Sequence, residues 1–198
     1  MPGQLGVNLR VTMKKQLDQL SNEELGKLFP IIISEPNPNW KELFKTEKKM
    51  IEKVLGSNDI VRMEHIGSTA IPDLKAKPSI DILLEITKTT ESKKIINGLS
   101  KIKYHYIPKP ENPEPHMMFV KGYTKDGFKG QAYHIHVRYS GDWDELYFRD
   151  FLIQNPLVAK EYENIKIKLS KEYKNDRDGY TEKKKDFVKH INEIARKK

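Results

Sequence analysis

Cysteine is absent from the 198 residues, which excludes disulfides, thiolate metal sites and cysteine nucleophiles. No apolar run approaches the roughly 20 residues needed to cross a bilayer. The first ten residues lack the charged-then-apolar order of a secretory leader. A cytoplasmic location without membrane contact is the resulting expectation. Apolar residues are scarce too, at 37% against 32% charged. Isoleucine, leucine, phenylalanine and tyrosine nevertheless recur in periodic blocks, so the shortage describes a charged surface around one core rather than a disordered chain. Acidic residues are outnumbered 28 to 36, for a net charge of +8. That balance favours anionic partners: nucleotides, other phosphorylated small molecules, or RNA. Residues 156–198 hold 13 of the basic residues against 8 acidic ones. They lack the interleaved aromatics of an RNA-binding groove, and a solvated helical surface also accounts for them. The sequence carries no signal for an oligomeric state.

Residues 1–20 read as a tail and the start of a first helix, and residues 21–198 as one domain. Leu17, Leu20, Leu25 and Leu28 share the apolar side of a helix over 14–28. Ser21 followed by Glu24 is a capping-box pattern, which allows two short helices broken there instead. Ile31, Ile32 and Ile33 predict a short strand. A helical stripe from Trp40 to Leu55 stops at Gly56. Strands are predicted at 60–66, 79–86, 103–107, 117–122 and 131–139, with a turn or short helix at 67–74 and a turn region at 122–130. Further helices are predicted at 90–99, 143–154, 156–174 and 181–196, the last two separated by Gly179. This order gives an α+β fold: a mixed β-sheet backed by helices on one face, with a helical C-terminal region.

Chemistry concentrates at a few places. Gly67-Ser68 follows a strand; glycine permits close backbone approach, and free N–H groups at such a turn can hold a phosphate. The pair also suits an ordinary strand-ending turn. Asp81 interrupts the apolar run Ile80–Leu84, where a carboxylate is costly unless it meets a metal, a cation or backbone donors. A pairing with Lys77 would satisfy it as well. His134 and His136 alternate onto one face of a strand, where two imidazoles can ligate a cation, orient a phosphate or move a proton. Glu64 and His65 add a carboxylate and an imidazole just before Gly67. Among the basic residues, Lys77, Arg138 and Arg149 are candidates to neutralise a bound anion, and Arg138 shares the alternating face of the histidines. Each could equally serve a structural ion pair.

The segment Glu64-His65-Ile66-Gly67-Ser68-Thr69-Ala70-Ile71-Pro72, followed by Ala76-Lys77-Pro78-Ser79-Ile80-Asp81-Ile82, closely resembles the signature of the GrpB-like family. The resemblance continues through His134-Ile135-His136-Val137, Phe148-Arg149-Asp150-Phe151-Leu152, Glu161-Tyr162 with Lys166, and Tyr180-Thr181-Glu182 with Lys184. It implies the nucleotidyltransferase superfold, with a Gly-Ser turn beside the active cleft and two carboxylates flanking one apolar residue further on. Gly67, Ser68 and Asp81 match, but the second carboxylate position is Leu83. Two-metal chemistry relies on such a carboxylate clamp. The expectation is therefore an incomplete site. Asp81, His134 and His136 are its catalytic candidates. Asp81, His136 and Glu64 could hold one divalent cation (Mn, Zn or Mg), and imidazole favours Mn or Zn. Gly67, Ser68, Lys77, Arg138 and Arg149 would take a phosphate. The implied function is binding of a nucleotide or other phosphorylated small molecule, with nucleotidyl transfer if the chemistry survives. The alternatives are a noncatalytic anion- or partner-binding module and an RNA-associated protein.

Overall fold

The computed structural model describes residues 19–197. The predicted tail and the beginning of the first helix lie outside the described residues. Alternation of apolar side chains places five strands in one sheet: β1 (Ile60–Ile66), β2 (Ser79–Ile86), β3 (His105–Pro108), β4 (Met117–Thr124) and β5 (Gly127–Tyr139). Their order is β1-β2-β5-β4-β3, with β2 and β5 parallel and the other pairs antiparallel.

One face of the sheet is apolar. Ile80, Ile82, Leu84 and Ile86 of β2 join Tyr133, Ile135 and Val137 of β5 beneath Ile51 and Leu55 of α2 (Trp40–Leu55) and Ile95 and Leu99 of α3 (Ser92–Ser100). The intervening residues, Asp81, Leu83 and Glu85 with His134, His136 and Arg138, point to the other face by strand alternation. The expectation of helices on one face is corrected here. Side chains of α4 (Asp144–Gln154), α5 (Pro156–Glu172) and α6 (Arg177–Glu182) approach the polar face, as does Lys184 just ahead of α7 (Lys185–Ala195). Those helices bury a second apolar cluster, including Phe148, Phe151, Leu152, Tyr162 and Ile191, with Ile71 and Leu74 from the loop after β1. Because this cluster is satisfied among the helices and that loop, the polar face need not be sealed.

Several local expectations change. Helix α1 (Asn22–Leu28) starts at Ser21, where both halves of the capping box form; residues 14–18 of the predicted helix lie outside the described residues. Ile31–Ile33 form no strand. The Ile31 N–H donates to the Lys174 carbonyl, Ile31 packs with Leu169 and Tyr180, and only Ser34 makes a bridge, to Ala76. Gly179 does not separate helices but lies inside α6, where a Cβ would come within 2.3 Å of Asp176 Oδ2. The break falls at Lys183-Lys184 instead. The 122–130 turn region is mostly strand, with a register shift between Lys121 and Tyr123 around Gly122 at φ 89°. A glycine inside a strand pattern marks a bulge as readily as a turn.

The N-terminal helix docks on the far end of the chain. A Cβ at Gly26 would lie 1.7 Å from the Asn175 carbonyl oxygen, so Gly26→Ala forces these segments apart. Overpacking of this kind costs about 1–3 kcal/mol. Urea unfolding of Gly26→Ala should show that loss, and an unchanged midpoint would refute the docking.

Candidate functional site

β2 brings Asp81 beside His134 of β5 and opposite Ile66 of β1, directly under the turn that follows β1. Gly67 in that turn has φ 71°, and a Cβ there would sit 2.6 Å from Asp81 Oδ2. Glycine is thus required both by the backbone and by the carboxylate against it. Asp81 Oδ1 accepts from His134 Nδ1 at 2.8 Å and has His136 Nε2 at 3.6 Å. Burial pushes the Asp81 carboxyl up, but the two imidazoles, His134 through its hydrogen bond and His136 nearby, outweigh it and hold it well below the usual carboxylate range. The predicted grouping of Gly67, Asp81, His134 and His136 is therefore a spatial one.

Burial also depresses the His134 pKa, against the opposing pull of Asp81, which favours the neutral imidazole. With Nδ1–H given to Asp81, Nε2 accepts from the Tyr123 hydroxyl at 2.7 Å. The hydrogen-bond partners assign this tautomer. Tyr123 was missed in the sequence because strict alternation from Val120, which pairs with His134, would send it to the opposite face. The irregularity at Gly122 reverses that alternation and turns the phenol onto His134. The Gly within an apolar strand was the available signal.

Above this network, cations gather with few counter-charges. Lys77 and Lys184 lie over the Tyr180 ring at 5.2 and 4.3 Å, and neither has a carboxylate within ion-pair distance among the described residues. Lys166, 2% exposed, donates to the Lys75 carbonyl at 2.6 Å and lies 4.8 Å over Tyr162. Arg177 donates to the Phe29 carbonyl at 3.2 Å and approaches the Tyr123 hydroxyl at 3.5 Å. Burial first, then mutual repulsion, brings Lys77 and Lys166 down to about 7. Burial brings Lys184 to about 8, opposed by Asp81. Ser68 engages the buried Tyr162 hydroxyl at the cleft's edge.

The other predicted residues go elsewhere. Arg138 is on the histidine face but donates to Glu145 at 3.2 Å and to its neighbour's carbonyl, under Trp143. Arg149 donates to Glu64 at 2.9 Å, to the His65 carbonyl at 3.0 Å and to Asp150 at 2.7 Å. Both tie α4 to the sheet. His65 stacks on Phe44 and bonds Thr69, and burial lowers its pKa to about 4. A separate pocket of about 190 Å³, lined by Leu74, Leu152, Pro156 and neighbours, contains none of the predicted site residues.

The donor set does not fit the expected metal. Glu64 is held by Arg149, Leu83 fills the second carboxylate position with no exposure, and Asp81 is committed to imidazoles. Among the described residues, no three His, Asp or Glu side chains are arranged to hold a metal ion.

Comparison with known proteins bears on this arrangement. The family described as GrpB protein matches residues 30–193. "Glutamate-rich protein GrpB" of Alkalihalophilus pseudofirmus is 36% identical over 81% of this chain and 93% of its own length. A UPF0157 protein of Pseudomonas aeruginosa is 36% identical over 78% of this chain, which accounts for 63% of that protein's length. The crystal structure of the conserved protein GrpB from Enterococcus faecalis superposes with a TM-score of 0.72 at 28% identity, covering 83% of this chain and 96% of that one. The fold is nucleotidyltransferase-like.

The Asp81–His134 bond can be tested directly. Removing the Asp81 charge removes the interaction that raises the His134 pKa, so Asp81→Asn should lower that pKa further. Nitrogen-15 NMR of the imidazole should show Nδ1 protonated and Nε2 bare near neutrality in the wild type. A His134 pKa that rises in Asp81→Asn would contradict the geometry.

Proposed function

The chain belongs to the GrpB family, and we propose that its cleft binds a nucleotide or a related phosphorylated small molecule. One observation carries the reading. Lys77, Lys166 and Lys184, from three separate segments, are drawn together in one cleft, where Asp81 acts on Lys77 and Lys184 and Glu163 on Lys166, yet none of the three forms an ion pair among the described residues. Burying ammonium groups without carboxylates is unfavourable for the fold alone, and a bound phosphate supplies the absent counter-charge through charge-assisted hydrogen bonds. Tyr180 and Tyr162 provide flat surfaces beneath the amines.

The C-terminal helices support a small ligand over RNA, because Lys166, Arg177 and Lys184 spend part of their basic excess inside the cleft. Tyr123, His134 and Asp81 form a base held in one tautomer by a carboxylate, with a hydroxyl in contact. That is the arrangement a proton transfer at the ligand needs.

Calorimetry with nucleoside mono-, di- and triphosphates tests the proposal. A phosphate stabilises the ammonium forms of lysines that titrate near neutrality when free. Binding at about pH 8 should therefore take up protons, and affinity should fall between about pH 6 and about pH 9. Lys77→Met and Lys184→Met should each weaken binding by tenfold or more, since a hydrogen bond to a charged group is worth about 1.5–3 kcal/mol. Absence of any phosphate-bearing ligand would refute the reading.

Stability has the matching sign. Lys166 binds its proton less well folded than unfolded, so it destabilises fully below about 7 and progressively less as the pH climbs toward 10.5. The stability of Lys166→Met relative to wild type should accordingly improve as pH falls, measured by thermal melts across that range. A pH-independent difference would show that the lysine keeps its ordinary pKa.

A further inference from the structure

We propose that the cleft carries its own counter-charge, so that a diphosphate or triphosphate group is bound without a divalent cation. This rests on the phosphate-binding reading above and specifies its chemistry. Phosphoryl sites of the two-metal kind use carboxylates to hold cations, which then neutralise the phosphates. Here the carboxylates are withdrawn and the cations belong to the protein.

Three observations establish the substitution. Leu83, fully buried, stands where the second carboxylate would be. Glu64, paired with Leu83 across the β1–β2 ladder, is neutralised by Arg149 at 2.9 Å. Asp81 is half-buried and already engaged, with Oδ1 on His134 and Oδ2 close against Gly67. Around them lie four basic side chains. Lys77 and Lys184 share the Tyr180 ring, Lys166 is buried below them, and Arg177 repels Lys77 from the side of Tyr123. A metal ion brought to Asp81 would meet this positive field and would have to displace the histidines. A polyphosphate meets no such opposition.

The number of cations selects the ligand class. A monophosphate leaves some of the four uncompensated, whereas a diphosphate or triphosphate carries enough charge to match them. Lysines are flexible point donors and do not demand one oxygen geometry, so inorganic pyrophosphate is a sufficient probe.

Calorimetry of the full chain with pyrophosphate, once with a chelator and once with excess Mg²⁺ or Mn²⁺, decides the matter. The expected result is binding in chelator that metal leaves unchanged or weakens, and that exceeds binding of inorganic phosphate at least tenfold. Lys184→Met should lose it at least tenfold, while Lys189→Met, on an exposed position of α7, should retain it. Binding seen only with metal, or strengthened tenfold by it, overturns this inference and leaves the phosphate-binding reading standing. Equal loss in both lysine variants also overturns it, since the attraction would then be surface charge. Failure of pyrophosphate and of every nucleotide under both conditions overturns the underlying reading itself.

Discussion

A carboxylate inside an apolar strand is the constraint from which the polar face of this protein is organised. Asp81 sits in β2 between Ile80 and Ile82, in a strand whose remaining residues to Ile86 are isoleucine and leucine apart from Glu85. Its desolvation must be compensated, and the compensation comes from both sides. Gly67 gives up a side chain so that the turn can close on Oδ2. His134 and His136, delivered by the parallel neighbour β5, present ring nitrogens to Oδ1. His134 is fixed in turn by Tyr123, whose placement requires the irregularity at Gly122.

The same carboxylate explains why lysines tolerate the cleft. Lys77 and Lys184 are each drawn toward the charged form by Asp81, while burial drives them away from it. Asp81, with Glu163 near Lys166, is outnumbered by the four basic side chains, and that imbalance is stored in the native fold. Such stored cost is characteristic of sites whose ligand completes the electrostatics. The C-terminal helices hold it in place because their own apolar cluster of Phe148, Tyr162 and Ile191 is satisfied without covering the strand face.

Arginines and lysines divide the work on this face. Arg138 and Arg149, whose planar groups suit fixed carboxylate pairs, fasten α4 to the strands through Glu145 and Glu64. The lysines remain without such partners. Sequence alternation placed Arg138 with the histidines correctly as to face, yet a shared face extends along the whole strand. Two residues beyond His136, Arg138 lies beside Glu85 in the ladder and within reach of α4 rather than of the lysines.

Helix α2, strands β1 and β2 to the residue, and the face shared by Asp81, His134 and His136 were legible in the order of amino acids alone. Those features follow from local periodicity, which the chain writes residue by residue. The GrpB resemblance pointed to Lys166 and Lys184 as well, though not to their surroundings. Packing alone sets Lys184 beside Lys77 over Tyr180 with Lys166 over Tyr162, turns Tyr123 onto His134 and spends Glu64 on Arg149. These depend on a bulge, on a helix break at Lys183-Lys184 and on contacts between segments about a hundred residues apart. Local pattern fixes the direction of a side chain from its own backbone; which distant charge stands opposite is set by how the elements pack.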